Sequence, residues 1–343
     1  MAAPVILDKE EVRSILSLYH LEELEELRGP DDTAHPATRR WWVKAGGRQF
    51  DLRVTDRKTL EDMVYEKDLL VQLRRSGLPV PVLVRNLARG TFTPWARRGR
   101  YVSLFERAPG RALGVFEIRA RHARSVGRLL GDLHRSTHDF RRRRPNPNCL
   151  STVVEKVGRL ERGLETRRLA KRFTGTVQLL GRELAHQEDR FLQSSLPVGA
   201  IHGGLGIAQA RFFADRLVGV VDFEEACRDR LVLDLAVALS AWAWEPSAKQ
   251  RGGPAGRFKL TQVRALLDGY ERSRPLSTVE REALPSELRF VALRDAAALM
   301  CEHELSRTGK HRGYRDHRHH VARLQALAEG RAETLIERAL NRS

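Results

Sequence analysis

The stretch Leu196–Glu245 constrains the fold more than any other part of the chain. It opens on a short apolar segment ending at Ile201-His202 and runs into a loop, Gly203–Gln209. Two apolar segments follow, Ala210–Phe213 and Leu217–Phe223, with Ala214-Asp215-Arg216 between them; this spacing predicts a hairpin. From about Leu231 to Trp244 the residues are apolar almost throughout, which predicts a buried helix.

Around that centre, 343 residues exceed one average domain and suit two lobes sharing a cleft. An apolar content of 41% is enough to fill both cores. The longest apolar run, near Leu235–Trp244, is too short to span a bilayer, so no membrane association is expected. The start, MAAPVILDKEEVRS, lacks the basic-then-apolar pattern of a signal peptide. Cys149, Cys227 and Cys301 lie far apart without zinc-type pairing, the sparse usage of a reducing compartment, and a cytoplasmic location is expected. Neither zinc nor haem is expected. The formal charge of +17 would attract nucleic acid or another anionic partner. Its arginines are spread along the chain, however, and no nucleic-acid motif accompanies them, so the expectation is a basic protein that does not bind nucleic acid.

In chain order, Leu7–Tyr19 has helical spacing with Asp8 as a cap, and Glu23–Arg28, Arg40–Ala45 and Gln49–Val54 read as strands. Leu60–Ser76 is a helix ended by Gly77, and Tyr101–Phe105 is a further strand. A long helix is predicted over Glu117–His138, and two or three more over Glu155–Leu196. Lys249–Arg257 reads as a Gly-rich loop.

This order, with the His202 loop and the Asp222-Phe223 pair, resembles the aminoglycoside phosphotransferase and choline kinase superfamily, and most closely its homoserine kinase branch. SGLPVP (Ser76–Pro81), GRLLGDLH (Gly127–His134), Arg144-Pro145-Asn146 and Arg274–Met300 extend the likeness over nearly the whole chain. The resemblance implies an α+β, protein-kinase-like fold of two lobes. Residues 1–105 would form a small lobe of helix and antiparallel sheet, 106–110 a hinge, and 111–343 a mainly helical large lobe.

The resemblance also assigns sites. Arg53 matches the basic residue on the α- and β-phosphates, and Glu66 the acidic residue that orients it. Phe105, Glu106 and Arg107 match the hinge that holds adenine. Asp222 matches a magnesium ligand. Asp234 matches the residue that holds the loop's backbone, and Arg294 lies on the acceptor-substrate side. The family loop, however, reads His, any, Asp, four residues, Asn. Here His202 is kept, while Gly204 stands in place of the catalytic Asp and Gln209 in place of the metal-binding Asn. Phosphoryl transfer is mainly positioning and charge neutralisation, and loss of a general base costs about 10²–10⁴ in rate. Gly29–Thr38, the phosphate-loop counterpart, carries Asp31 and Asp32, while Pro30 and Pro36 lack amide donors. Ala296, Ala297 and Ala298 replace bulkier groups beside Arg294.

These changes predict a pseudokinase that binds a small molecule or protein partner in the old cleft. The alternative is an active ATP- and magnesium-dependent kinase acting on a small-molecule hydroxyl or amine, homoserine-like or aminoglycoside-like. Glu224 and Glu225 are the carboxylates near enough in sequence to assist such a site, Glu224 on its metal side. In the tail, His311, His317, His319 and His320 read as an exposed basic helix start; His317, His320 and Asp316 would be the metal-site alternative.

Overall fold

The computed structural model describes residues 7–21, 23–30, 38–56, 58–96, 99–191, 195–247, 256–306 and 316–341. The chain divides into two compact units, Met1–Gly110 with Val218–Asp222, and Arg111–Leu217 with Phe223–Ser343.

The first unit starts with α1 (Lys9–Ser17), whose N-terminus is closed by a reciprocal capping box between Asp8 and Glu11. Strands β1 (Leu24–Arg28), β2 (Thr38–Ala45) and β3 (Arg48–Thr55) follow, then α2 (Leu60–Arg75), β4 (Thr93–Pro94) and β5 (Tyr101–Glu106). The five strands form one antiparallel sheet in the order β1-β2-β3-β5-β4. Alternation decides which residues face the core. Trp41, Val43, Phe50, Leu52, Val54, Val102 and Leu104 pack with Val12, Ile15 and Leu16 of α1. Arg40 and Arg53, at alternate positions, lie on the opposite face and are cross-strand partners in the β2–β3 register. Ile15 and Leu16 are fully buried, so the short α1 is held by packing rather than by propensity.

The second unit contains α3 (Ala120–Ser136), α4 (Leu150–Glu165), α5 (Thr174–Phe191), β6 (Val198–Ile201) and β7 (Ala210–Phe213). Strand β8 (Arg216–Val220) completes the hairpin with β7, and β9 (Cys227–Arg230) pairs antiparallel with β6. Then come α6 (Leu231–Trp242), β10 (Trp244–Pro246), β11 (Gly256–Phe258), α7 (Leu260–Ser273), α8 (Thr278–Met300), α9 (His317–Leu327) and α10 (Arg331–Leu340). Helix α6 is buried on every side, as its unbroken apolar sequence requires. Helices α3 and α7 cross closely at glycines. A Cβ on Gly127 would lie 2.0 Å from the carbonyl oxygen of Leu266, and one on Gly269 would lie 2.1 Å from that of Arg124.

The protein-kinase-like α+β expectation holds, with local corrections. The helix expected from Glu117 begins at Ala120, because Ile118 and Arg119 are extended and the ring of His122 accepts from the Arg119 amide. The helix expected to reach Trp244 stops at Trp242, since Trp244 leaves it to pair with Phe258. The strand expected to run to Phe223 ends at Val220, where Asp222 takes a left-handed φ of 77°. The tail's helix start is not exposed: His317 and His320 are only 2% and 6% accessible. His311 and the span 31–37 of the phosphate-loop counterpart lie outside the described residues. Among the described residues, no helix is long and apolar enough to cross a membrane, and no group of three His, Cys, Asp or Glu could hold a metal ion.

Candidate functional site

In the first unit, alternation along β3 puts Arg53 on the face covered by α2, where periodicity brings Glu66 inward. Arg53 donates Nη1 and Nη2 to the two carboxylate oxygens of Glu66 at 2.7 and 2.8 Å, a bidentate pair with both side chains nearly inaccessible. Lys58 Nζ adds a contact at 3.4 Å. Burial alone would push the Glu66 carboxyl up. The charges and hydrogen bonds of Arg53 and Lys58 outweigh it and hold the group at about 2. Phe105 forms the floor, with the Arg53 guanidinium 4.6 Å from its ring centre.

The other two hinge positions are engaged within the same unit. Glu106 donates its backbone N–H to the Val82 carbonyl at 2.9 Å and Arg107 to that of Gln49 at 3.1 Å. Their side chains pair with Arg48 and Asp51. Asp222, which belongs to this unit, is ion-paired with Arg40 Nη2. Its positive φ is uncommon for a residue with a side chain and marks the turn as specially shaped.

In the second unit, the loop after β6 is held from beneath. Asp234, in the first turn of α6, accepts from the His202 amide at 2.7 Å and the Gly203 amide at 2.9 Å. Its pKa is pulled down: burial opposes ionisation, but the hydrogen bond and charge of His134, with the backbone donors, prevail. His134 Nε2 lies 3.2 Å from Asp234, and His134 Nδ1 lies 2.8 Å from the Tyr270 hydroxyl. Arg274 donates to that hydroxyl oxygen at 2.9 Å. Facing a carboxylate, His134 Nε2 carries a proton toward Asp234. His134 and Tyr270 were not singled out from the sequence, although His134 ends the GRLLGDLH segment.

Gly203 is fixed as glycine twice over, by a φ of 80° and by the Glu225 carbonyl, 2.6 Å from where its Cβ would stand. The His202 ring packs on Phe223 at 4.5 Å. Arg144 clamps the turn after Phe223 by donating Nη1 to the carbonyls of Glu224 at 2.8 Å and Ala226 at 2.6 Å. Asn146 binds Asp229 at 2.7 Å, so Arg144-Pro145-Asn146 is a positioning segment.

The substituted positions are informative in detail. Gly204 offers no side chain, but a Cβ built on it would lie 3.3 Å from Glu225 Oε2. A carboxylate thus lies beside the position where the family pattern has its own. The amide oxygen of Gln209 lies 2.9 Å from where a Gly206 Cβ would be, so this side chain folds back over its own loop. Arg294 is buried in α8, with its Nε on Asp295 at 2.8 Å. Burial lowers the Lys156 ammonium pKa, and the charge of Arg294 lowers it further. Arg294 in turn feels the charge of Glu225.

Magnesium requires near-octahedral oxygen donors. Asp222 is already paired with a guanidinium, and Gln209 is turned onto Gly206.

A five-stranded antiparallel sheet with a buried Arg–Glu pair, and a helical unit with an Asp-braced loop, define a phosphotransferase of protein-kinase-like fold. The model of the phosphotransferase enzyme family matches residues 37–276, and the chain belongs to that family. It is 34% identical over 234 residues to a homoserine kinase of Xanthobacter autotrophicus, covering 68% of this chain and 67% of the relative. To a homoserine kinase of Rhodopseudomonas palustris it is 30% identical over 287 residues, covering 83% and 82%. Among solved structures, a microcompartment-associated aminopropanol kinase shares the fold with a TM-score of 0.70 at 20% identity, covering 96% of this chain and 98% of that one. The amicoumacin kinase hAmiN, in complex with AMP-PNP, Ca2+ and Ami, gives 0.67 at 17%, covering 96% and 94%.

Proposed function

We propose that this protein is a pseudokinase of the phosphotransferase family, retaining the fold as a binding frame without magnesium-dependent phosphoryl transfer. The observation that carries this reading is the loop itself. Asp234 braces the backbone at His202 and Gly203, yet the next residue, Gly204, has no group to orient or deprotonate an acceptor. The Arg40 guanidinium on Asp222 and the engaged hinge amides support the same reading. The role that remains is to bind a small molecule or a protein partner.

The test is incubation of the full chain with ATP, magnesium and homoserine or an amino alcohol, followed by phosphorus NMR. No phosphorylated acceptor above the buffer control is the expected result.

One observation favours the active alternative, namely the Glu225 carboxylate beside Gly204. If that carboxylate serves as the base, turnover will be seen and Glu225→Gln will remove it. Such a pair of results would replace the pseudokinase reading.

A further inference from the structure

In the second unit, α4 buries a stripe of Val153, Val157 and Leu160, and the half-buried Lys156 lies on the edge of that stripe. Cys301 Sγ donates to the Lys156 carbonyl at 3.4 Å, which fixes where α4 meets the end of α8. Arg294 stands two turns before Cys301 on the same face of α8, about 10 Å back along the axis. The residues between them on that face are Ala297 and Ala298.

Both cations keep unused donors. Lys156 Nζ makes no hydrogen bond or ion pair with any described residue. Arg294 commits only Nε, to Asp295. Its Nη1 and Nη2 donate to no described residue, although the side chain is only 8% exposed. A buried guanidinium fork without an acceptor is costly, and an anion is the partner that its planar geometry suits. Lys156 feels Arg294 as a like charge, with Asp295, Glu225 and Cys301 as the acidic groups that face it. Arg294 faces Asp295, Glu225 and Cys227. Burial and Arg294 together lower the Lys156 ammonium pKa, which favours the neutral, nucleophilic amine.

We infer that Lys156 is a carbonyl-capturing amine, and that with Arg294 it forms a covalent site for a small aldehyde or ketone bearing a carboxylate. The guanidinium fork holds the carboxylate, and the amine nitrogen attacks the carbonyl carbon. A C–N bond forms first, and the carbonyl oxygen then leaves as water with both amine hydrogens, so that C=N replaces C=O. Nothing is oxidised or reduced, and the step is reversible. The inference rests on the small-molecule binding role proposed above, but the bond made is C=N, and neither nucleotide nor magnesium takes part.

The experiment is reductive trapping. The full chain is incubated with glyoxylate and sodium cyanoborohydride at neutral pH, and modified lysines are located by peptide mass mapping. Exposed Lys171 is the internal reference. Lys156 should be carboxymethylated about tenfold faster than Lys171 or more, because the fork pre-positions the carbonyl. Acetaldehyde, which lacks the carboxylate, should show a much smaller preference for Lys156 over Lys171. Acetate should slow labelling of Lys156 by glyoxylate, and acetamide should not. Arg294→Gln should reduce the glyoxylate preference to that of acetaldehyde. The acetate competition uses the wild type, so it tests the fork even if that variant does not fold. Labelling of Lys156 no faster than Lys171, equal preference for glyoxylate and acetaldehyde, or no protection by acetate overturns the inference. Phosphoryl transfer to homoserine would sink the pseudokinase reading and leave the trapping result standing, whereas failed trapping would leave that reading in place.

Discussion

Oε2 of Glu225 lies 3.3 Å from the point where a Cβ on Gly204 would stand, so the two residues share one small volume. Gly204 has an ordinary backbone conformation, and neither backbone strain nor a backbone clash excludes a side chain there. The neighbour an aspartate would meet is the Glu225 carboxylate, the end of a flexible side chain, so the opposition there is one of charge rather than of space.

Restoring the family pattern should therefore fail. Gly204→Asp with Gln209→Asn puts a second carboxylate against Glu225 and leaves Arg40 on Asp222, so no phosphoryl transfer should appear. Two carboxylates so close repel, and the variant should lose thermal stability at neutral pH relative to the wild type. Adding Glu225→Gln should recover most of that loss. Turnover by the Gly204→Asp, Gln209→Asn protein, or a stability loss that Glu225→Gln does not relieve, would contradict this account.

The Arg53–Glu66 pair makes a second prediction. Glu66 has an ordinary value of 4.5 and is held at about 2 in the fold. A depressed carboxyl stabilises the fold above its unfolded value, and that contribution is lost as pH falls from about 4.5 to about 2. Acid unfolding of Glu66→Gln should be flatter over this window, from a lower starting stability. Glu66→Ala leaves Arg53 buried without its carboxylate and should cost about 3–5 kcal/mol near neutral pH, measured by urea unfolding.

The elements were legible in the sequence because they depend on local periodicity, and the site residues through the resemblance. Alternation in Gln49–Val54 and the helical spacing of Leu60–Ser76 give the elements that carry Arg53 and Glu66, while the pairing of those two residues and the bracing role of Asp234 came from the resemblance. Other features depend on contacts that no local pattern encodes. Arg40 opens a strand in the sequence, and nothing local ties it to Asp222, 182 residues away. Glu225 comes alongside Gly204 only through the left-handed turn at Asp222 and the single 3-10 turn at Phe223–Glu225. Strand β9, reading CRDR, is masked by its charges, and it pairs because β6 offers it an edge. The histidines at His317 and His320 look like surface residues by composition, but α8 and α9 pack together and bury them.

The α3–α7 crossing makes a third prediction. Gly127→Ala would drive a methyl to 2.0 Å from the Leu266 carbonyl oxygen, so the helices must separate. The expected loss is about 1–3 kcal/mol or more, because backbone cannot yield as a side chain can. Gly175→Ala, in α5 with nothing within 4 Å of the new methyl, is the control. It should be neutral or stabilising by up to about 1 kcal/mol. Equal effects at the two sites, read by thermal unfolding, would show that the close approach of α3 and α7 is not what fixes glycine at 127.

Asp234 gives the fourth. Its oxygens accept from two loop amides and face the Nε2–H of His134, so every neighbour directed at it is a donor. Asp234→Asn keeps the shape but turns an NH2 group toward some of those donors, and the charge-assisted bonds are lost. The cost should be about 1.5–3 kcal/mol. It should be accompanied by faster hydrogen exchange at the His202 and Gly203 amides than in the wild type. Tyr270→Phe, one bond further out, should cost about 1 kcal/mol and leave those amides protected, because Asp234 keeps its direct contacts. If Tyr270→Phe exposed the amides as much as Asp234→Asn, the loop would be held by the whole His134–Tyr270–Arg274 chain rather than by the carboxylate alone.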